Sequence, residues 1–208
     1  MIPTWLILQN EISCLPFIIP RAYEKGFKIV FNPAPCPSDL VATIPINQCH
    51  VLIMNESETK SIARQLLKDF KTHEDMSLVE AEDAGKGLLN VLPTLRVAVI
   101  TLGAQGSIAV YSTKEKGSIK AIQHSALPTV KVTDTTGAGD VFIGYFLTEL
   151  IQGWSIDDGT EELDDDVIKR ALMFGTVAAG ISCENRGAMN SIPLRQVVIG
   201  RAASVGWV

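Results

Sequence analysis

Three short apolar runs constrain the fold of this 208-residue chain more than any other feature of its sequence. They cover residues 27–31, 51–54 and 97–101, and segments with helical spacing lie between them. Strands that are apolar on both faces are typical of a parallel sheet, because the connections between parallel strands place helices on both sides. The pattern predicts an α/β fold with a mostly parallel central sheet between two layers of helices.

Apolar residues with a period near 3.6 predict three helices. The first two stripes are Ile62, Ala63, Leu66, Leu67 and Phe70, and Phe142, Ile143, Phe146, Leu147, Leu150 and Ile151. The third helix is expected at 165–183, where the small residues of 177–181 permit close packing. Glycine-separated pieces at 107–111, 119–122 and 130–132 predict strands with tight connections. No linker divides the chain, so residues 1–208 are expected to form a single domain.

A glycine-rich segment at 134–140, here called the glycine turn, leads into the second helix. Gly137 and Gly139 allow backbone N–H groups to face one point without a Cβ atom in the way, and the helix N-terminus adds positive potential there. Such a turn suits a phosphate. Asp140 falls in the first helical turn, where its carboxylate can take a proton from an attacking alcohol. Taken alone, the same residues are also explained as a sharp bend in which Asp134 and Asp140 cap turns and helix ends.

The full string Asp-Thr-Thr-Gly-Ala-Gly-Asp at 134–140, followed by Phe142, resembles the carboxy-terminal signature of the ribokinase-like (PfkB) carbohydrate kinases. The resemblance implies a ribokinase-like three-layer α/β/α fold and ATP-dependent phosphorylation of an alcohol. It implies Asp140 as the catalytic base and the N–H groups of Gly137, Ala138 and Gly139 as an anion hole for the transferred group. A nucleotide-binding protein of other chemistry is disfavoured, because the chain has neither a P-loop nor a dinucleotide fingerprint.

Four further segments follow the family's order and rough spacing: Leu-Gln-Asn-Glu at 8–11, Asn-Pro-Ala-Pro at 32–35, Asn-Glu-Ser-Glu at 55–58 and Ile-Thr-Leu-Gly at 100–103. By resemblance, Asn55 and Glu58 help to hold Mg²⁺, a hard cation that keeps several waters. The nucleotide contacts that the resemblance implies are Asn55, Thr101, Gly103, Gly139 and Thr176. Taken alone, Asn55 is a strand-end turn residue, Glu58 a solvated helix acid and Gly103 a hairpin glycine.

The family's activating monovalent cation lies beside the anion hole and is coordinated largely by backbone oxygens. The matching positions in this sequence are Asp134, Thr136, Ser182, Asn185, Gly187 and Ser191. Only Asp134 offers a charge, which fits a weakly bound ion such as K⁺. An ordinary surface loop explains Asn185 and Ser191 equally well.

The substrate class follows by analogy, because no sugar pocket is visible in the sequence. Segments 9–11 and 32–35 resemble ribokinases more than adenosine kinases or fructokinases, which favours a pentose, D-ribose, as the acceptor and D-ribose 5-phosphate as the product. Glu11 and Asp140 match sugar contacts of the family, although an isolated Glu after an apolar run normally faces solvent. A kinase of another sugar or nucleoside is the alternative.

The family's amino-terminal third, with its Gly-Gly-Lys-x-x-Asn sugar segment and β lid, has no counterpart in this sequence. The resemblance runs from Trp5 to Pro193 and covers roughly two thirds of a typical member, so the fold is expected to be incomplete at its amino terminus. Exposed sheet edge predicts poor solubility or self-association, and the homodimer typical of the family is not expected of this chain. The alternative function is a catalytically inactive nucleotide-binding remnant that pairs with an intact relative.

Composition argues against several other classes. A net charge of −5 without a Lys/Arg cluster disfavours nucleic acid as a partner, and the longest uncharged stretch, 97–113, is too short for a membrane span. Cys14, Cys36, Cys49 and Cys183 form no metal-binding pattern with the histidines, which indicates free thiols in a reducing compartment. No secretory signal is recognisable, so we expect a cytoplasmic location, with the nucleus as a further one.

Overall fold

The computed structural model describes residues 4–113, 118–157 and 160–208, which contain eight strands and seven α-helices. The strands are β1 (Trp5–Gln9), β2 (Lys28–Asn32), β3 (Val51–Asn55), β4 (Val97–Thr101), β5 (Ser107–Ser112), β6 (Ile119–His124), β7 (Ser155–Asp157) and β8 (Thr160–Glu162). The helices are α1 (Leu15–Glu24), α2 (Leu40–Thr43), α3 (Glu56–Leu66), α4 (Leu78–Val91), α5 (Ala138–Gly153), α6 (Asp165–Cys183) and α7 (Arg195–Ser204). Short 3₁₀ turns cover Ile46–Gln48 and Gly103–Gln105.

Strands β1 to β6 form one mixed sheet in sequence order, and β7 pairs with β8 antiparallel. The three pairings among β1, β2, β3 and β4 are all parallel. Strands β3 and β4 are buried on both faces along four of their five residues, as the continuous apolar runs predict. The prediction of an α/β fold with a mostly parallel sheet is confirmed.

The chain divides into two compact units. Unit 1 consists of Met1–Leu102 with Ile108–Ala121, and unit 2 of Gly103–Ser107 with Ile122–Val208. Two contact-dense units can belong to one domain, so the single domain over residues 1–208 stays a prediction.

Unit 1 buries one apolar cluster to which strands and helices both contribute. Phe31, Leu52 and Ile100 come from the sheet, and Leu15 and Ile62 from α1 and α3. Helix α3 begins with a capping box, in which a side chain and the third helical residue satisfy each other's backbone N–H groups. Helix α4 begins in the same way. These caps fix where each helix starts after the preceding strand or loop.

Unit 2 is organised around the packing of α5 on α6. A Cβ at Gly175 would lie 3.0 Å from the Phe142 ring, and one at Gly180 would lie 2.9 Å from Leu127, so small residues on α6 let its neighbours approach closely. The buried Glu149 of α5 accepts from Arg170 on α6 at 2.8 Å. The same carboxylate pairs with a guanidinium nitrogen of Arg195 on α7 at 2.6 Å. The small residues predicted at 177–181, to which Gly180 of α6 belongs, therefore permit the close packing expected of them.

The helix predicted at 165–183 is α6 with the same bounds, and the strands predicted at 107–111 and 119–122 are β5 and β6. Two other predictions are wrong in detail. Helix α3 ends at Leu66, so Leu67 and Phe70 of the first stripe lie beyond it. Residues 130–132 form a loop rather than a strand, and the Thr133 N–H that follows donates to the Cys183 carbonyl at 2.7 Å. Among the strands and α-helices of the described residues, those not predicted are β1, α1, α2, α4, β7, β8 and α7.

In the part of the chain that the structure describes, we find no helix with the length and apolar character needed to span a bilayer.

Candidate active site

Four parallel strands of unit 1 end in polar residues. Gln9, Asn32, Asn55 and Thr101 are the last residues of β1, β2, β3 and β4. The register pairs Gln9 with Asn32 and Asn55 with Thr101 directly across neighbouring strands. Carboxyl ends of parallel strands are where open α/β sheets bind ligands. The four strand ends, each of which belongs to a segment that carries the family resemblance, therefore lie at the edge where a ligand is expected.

A chain of side-chain hydrogen bonds connects three of these strand ends. The Gln9 amide Nε2 donates to Asn32 Oδ1 at 3.1 Å. Asn32 Nδ2 donates to the Ile53 carbonyl at 2.8 Å and to Glu58 Oε2 at 3.3 Å. Glu58 in turn accepts from the Asn55 backbone N–H at 2.8 Å and from Asn55 Nδ2 at 2.9 Å. We call Gln9, Asn32, Asn55 and Glu58 the strand-end network.

Glu58 is buried, with 8% of its surface exposed, although it was expected on its own to be a solvated helix acid. That expectation fails because the Asn55–Glu58 capping box turns the side chain back onto the strand ends. Burial raises the pKa of the Glu58 carboxyl, while the hydrogen bonds from Asn55 and Asn32 act in the opposite direction. The buried carboxylate is thus held by three N–H donors.

The strand-end network fits the chemistry of a hard cation. Its acceptors are carboxylate and amide oxygens, which Mg²⁺ prefers. Asn55 Oδ1 already accepts from the Glu58 N–H at 2.9 Å and from Ser57 Oγ at 2.8 Å, and both Glu58 oxygens accept amide hydrogens. Occupied oxygens of this kind suit an ion that keeps its waters. Among the residues that the structure describes, no three His, Cys, Asp or Glu side chains are grouped so as to hold a metal by themselves.

The remaining predicted residues of unit 1 lie beside this network. Glu11 is exposed in the turn after β1, and its neighbour Asn10 donates to the Pro35 carbonyl at 2.7 Å, which ties segments 8–11 and 32–35 together. Thr101 is half-buried at the end of β4, with its hydroxyl 3.5 Å from the Met54 carbonyl.

The glycine turn lies in unit 2 and begins α5. Gly137 is the N-cap residue, with a φ of 78°, and no side chain caps the helix there. A Cβ at Gly137 would lie 2.9 Å from the Ala188 Cβ, whereas a Cβ at Gly139 would meet nothing within 4 Å. Gly137 therefore serves the turn and its packing, while Gly139 leaves open space in front of the helix N-terminus. That space is where an anion can approach the backbone.

Asp140 is the third residue of α5 and so falls in the first helical turn, as predicted, and its side chain is exposed. It borders a cavity of about 460 Å³ that runs along one face of α5. The cavity is lined by Gly137, Asp140, Val141, Gly144, Tyr145, Thr148, Ala188, Met189, Ile192 and Arg195. The Tyr145 hydroxyl donates to the Pro193 carbonyl at 2.6 Å, which fixes the far wall. The candidate base therefore faces a volume large enough for a small substrate.

Asp134 joins the glycine turn to the segment after α6. Its Oδ1 accepts from the Thr136 N–H at 3.0 Å, and its Oδ2 accepts from the Gly187 N–H at 2.9 Å. These bonds, that from Gly187 first, lower the pKa of the Asp134 carboxyl to about 2. Three of the six residues predicted to hold K⁺ are thereby brought into direct contact.

The other three predicted K⁺ residues lie in the last turn of α6 and in the segment that follows it. Ser182 and Ser191 are buried, and their hydroxyls donate to the carbonyls of Ala179 and Ala188 at 2.8 Å each. Asn185 donates its amide hydrogen to the Ile181 carbonyl at 3.2 Å. Each side chain uses a donor in these bonds and keeps oxygen lone pairs, and the set carries one carboxylate. This donor chemistry fits a monovalent cation.

Thr176 and Gly103 were predicted to contact the nucleotide. Thr176 is 7% exposed, and its hydroxyl lies 3.2 Å from that of Ser107. Gly103 has a φ of 53° and accepts from the Gly106 N–H at 3.1 Å, which closes the 3₁₀ turn before β5. Both residues belong to unit 2 with the glycine turn, and Asn55 and Thr101 belong to unit 1.

Comparison with known proteins assigns the family. The profile described as pfkB family carbohydrate kinase matches residues 21–195, which include the glycine turn and most of the strand-end network. The chain belongs to the pfkB family of carbohydrate kinases. Its likeness to the ribokinase of Haemophilus influenzae amounts to 30% identity over 191 residues, covering 91% of this chain and 52% of that protein.

Solved structures agree with this assignment. A ribokinase from Cryptococcus neoformans var. grubii serotype A in complex with ADP has a TM-score of 0.74 and 28% identity, over 95% of this chain and 60% of that one. A ribokinase from Thermotoga maritima has a TM-score of 0.67 and 27% identity, over 96% and 57%. The pfkB-family chain thus spans about half the length of the curated relatives it matches, less than the two thirds expected.

Several residues of the candidate site were not given a role from the sequence. Gln9 and Asn32 stood only within quoted segments, and Arg195, Tyr145 and Ala188 were not singled out. The first two could have been found as polar ends of apolar runs in a parallel sheet. Tyr145 could have been found from helical spacing, since it lies one turn after Val141 on the same face of α5. Sequence spacing gives no signal for Arg195 and Ala188, because they reach the cavity through long-range packing.

Proposed function

We propose that this pfkB-family protein transfers the terminal phosphoryl group of ATP to the primary hydroxyl of a pentose, D-ribose, to give D-ribose 5-phosphate and ADP. The observation that carries the proposal is the glycine turn. It presents an uncapped helix N-terminus with open space at Gly139, and it places Asp140 one turn into the helix at the border of a cavity. The names of the relatives support a sugar acceptor.

In the proposed step, the Asp140 carboxylate takes the proton of the attacking hydroxyl. The alkoxide oxygen forms a bond to the γ-phosphorus as the bond to the β,γ-bridging oxygen breaks, and ADP leaves with that electron pair. The N–H groups of Gly137, Ala138 and Gly139 stabilise the charge on the transferred group, since helix N-termini favour anions. Asp140 thereby acts both as the base and as a contact to the substrate hydroxyl.

Asn55 and Glu58 would hold Mg²⁺ through its waters, and the ion would neutralise phosphate charge when bound. Asp134, Thr136, Ser182, Asn185, Gly187 and Ser191 would hold K⁺, which would add positive charge near the anion hole. The carboxylate of Asp134 also connects the backbone of the glycine turn, at Thr136, to the backbone after α6, at Gly187.

The proposed nucleotide contacts are Asn55, Thr101, Gly103, Gly139 and Thr176, and the proposed sugar contact outside the glycine turn is Glu11. Glu11 is exposed and so is accessible to a ligand. Thr176 is largely buried and its hydroxyl lies beside that of Ser107, so it would contribute through backbone position and shape. We further propose a cytoplasmic protein whose partners are a sugar and ATP, without nucleic acid or membrane.

A second function, binding of nucleotide without transfer, is favoured by one observation. The cavity beside Asp140 is lined mainly by apolar groups, Val141, Ala188, Met189 and Ile192 among them, whereas a sugar needs several polar partners. On this alternative the protein binds ATP or ADP at the glycine turn and releases no product.

The test is ADP formation by the purified chain with ATP, Mg²⁺ and K⁺, in parallel reactions with ribose, fructose, adenosine or no acceptor. We expect ribose-dependent turnover and a product with the mass of ribose phosphate. Turnover with adenosine but not ribose would overturn the substrate assignment. Nucleotide binding in a calorimeter without turnover on any acceptor would favour the binding-only alternative.

A further inference from the structure

The amide of Asn32 has a fixed orientation in the strand-end network. Asn32 Oδ1 accepts from Gln9 Nε2, and Nδ2 faces the Ile53 carbonyl at 2.8 Å. Rotating the amide by half a turn would bring Oδ1 against two acceptors, the Ile53 carbonyl and the Glu58 carboxylate, and would leave the Gln9 donor facing another donor. The hydrogen-bond partners therefore decide which way the amide points.

The second hydrogen of Asn32 Nδ2 is the one that reaches Glu58. The capping box of α3 does not depend on this hydrogen bond, because it consists only of the bonds between Asn55 and Glu58. The contact between the Asn32 amide and strand β3 is made by the other hydrogen, which is donated to the Ile53 carbonyl. The hydrogen bond of 3.3 Å between Asn32 and Glu58 is thus needed neither for the cap of α3 nor for the contact with β3. Its acceptor is the carboxylate that we propose holds the hydration shell of Mg²⁺.

Gln9 and Asn32 are suited to this task by their burial. Asn32 is 8% exposed, so water competes little for its hydrogen bonds, and Gln9 beside it is half-buried. A carboxylate whose orientation is fixed by buried amides spends less free energy on ordering when an ion arrives, because its rotamer is already selected.

We infer that Gln9 and Asn32 are positioning residues for Glu58: Gln9 fixes the amide of Asn32, and Asn32 holds the Glu58 carboxylate in the orientation that receives the hydrated divalent ion and its nucleotide. The inference rests on the proposed function, since it concerns the same metal site. It adds two residues, from β1 and β2, that touch neither substrate nor ion.

The test measures affinity rather than activity alone. Mn²⁺ replaces Mg²⁺ as the probe, and its binding to the protein with ADP is followed by the loss of the free-ion electron paramagnetic resonance signal. Asn32→Leu keeps the branched shape of the side chain but removes all three of its amide hydrogen bonds. We expect the dissociation constant for Mn²⁺ to rise by about tenfold, the low end for loss of an outer-shell partner. The Gln9 side chain is connected to Glu58 through its bond to Asn32, so for Gln9→Leu a smaller rise of about threefold is expected.

The double variant Gln9→Leu/Asn32→Leu separates positioning from general destabilisation. If Gln9 acts through Asn32, its substitution changes Mn²⁺ affinity no further once Asn32 is gone, so the two effects are not additive. A matched control is Gln65→Leu, which removes amide bonds to Pro37 and Ser61 elsewhere in unit 1 and should leave the metal affinity unchanged. Circular dichroism and urea unfolding confirm that each variant is folded.

The outcomes separate this inference from the proposed function. Wild-type protein that binds no Mn²⁺ with ADP would refute the metal site itself, and the inference with it. If wild type binds Mn²⁺ and the folded variants Asn32→Leu and Gln9→Leu bind it with dissociation constants within about twofold of wild type, the positioning role alone is refuted. Additive effects in the double variant would refute it as well. If Asn32→Leu does not fold, the Gln9→Leu measurement still decides, since an unchanged dissociation constant contradicts the inference.

Discussion

Replacement of Gly137 by alanine is the perturbation whose cost the structure specifies most completely. The residue has a φ of 78°, a conformation that costs a residue with a Cβ about 1 to 2 kcal/mol. Its new Cβ would lie 2.9 Å from the Ala188 Cβ and 3.1 Å from the Ala188 Cα, and one of the two must shift. Such overpacking typically costs about 1 to 3 kcal/mol. Alanine recovers about 0.4 to 1 kcal/mol by restricting the unfolded chain, which leaves a net destabilisation of about 1 to 5 kcal/mol.

Gly139→Ala is the matched control two residues away. Its φ is not positive and a Cβ there meets nothing within 4 Å, so we expect stability to be unchanged or to rise by up to about 1 kcal/mol. The nucleotide should nevertheless bind more weakly, because the added methyl group occupies the space through which a phosphate approaches the helix N-terminus. The two glycines of one motif are thus predicted to differ in kind, one needed for folding and the other for binding.

Urea unfolding followed by tryptophan fluorescence measures this difference, since Trp154 and Trp207 both lie in unit 2 with the glycine turn. The midpoint for Gly137→Ala should fall at an unchanged slope, and that for Gly139→Ala should not fall. A Gly137→Ala protein within about 0.5 kcal/mol of wild type would refute the reasoning from φ and packing. So would an equal loss of stability in both variants.

Two further predictions concern charged groups. Glu149→Gln should lower the free energy of unfolding by about 1.5 to 3 kcal/mol, because a 2%-exposed carboxylate loses its charge-assisted hydrogen bond from Arg170 and its ion pair with Arg195. By contrast, Glu24→Gln in an exposed pair on α1 should change it by less than about 0.5 kcal/mol. Equal effects in urea titrations would contradict the burial argument. Asp134 has a folded-state pKa of about 2, below its ordinary value of 3.8. Its ionised form therefore contributes fully to the stability of the fold at a pH above 3.8, and this contribution is lost as the pH falls through about 2. The difference in thermal midpoint between wild type and Asp134→Asn should therefore be constant near neutral pH and shrink in acid; a difference that does not depend on pH would show that the carboxylate is not the cause.

The parts of the fold that were predictable are those in which burial alone sets the pattern. Strands β3 and β4 read as strands because they are apolar on both faces, and α6 reads as a helix to both of its ends because its apolar stripe is continuous. Helix α1 was missed because it is short and contains Pro16 and Pro20, which usually mark loops. The β-branched residues of 130–132 suggest a strand, but the backbone after them bonds to the end of α6, and Val130 packs against Gly180.

The candidate site divides in the same way. The glycine turn and Asp140 were predictable because the motif is contiguous and its helix follows at once. The bond from the Gly187 N–H to Asp134 spans 53 residues, and the contact between Asn32 and Glu58 spans 26, so no local pattern contains either. Their existence depends on strand register and on how α6 ends. Glu58 is an example: its position in the sequence is typical of a solvated acid in the first turn of a helix, but the side chain is buried because it packs against the strand ends.

The central claim is that Asp140 acts as the base at a phosphate-binding turn. The most direct test compares the turnover of wild type and Asp140→Asn at saturating ATP and ribose. The affinity for ADP is measured on the same preparations. Asparagine keeps the size and the helix position but cannot accept a proton. We predict that kcat falls by about 10²- to 10⁴-fold, the usual contribution of a positioned base, while the dissociation constant for ADP stays within a factor of about two. Turnover by Asp140→Asn at the wild-type rate would contradict the account.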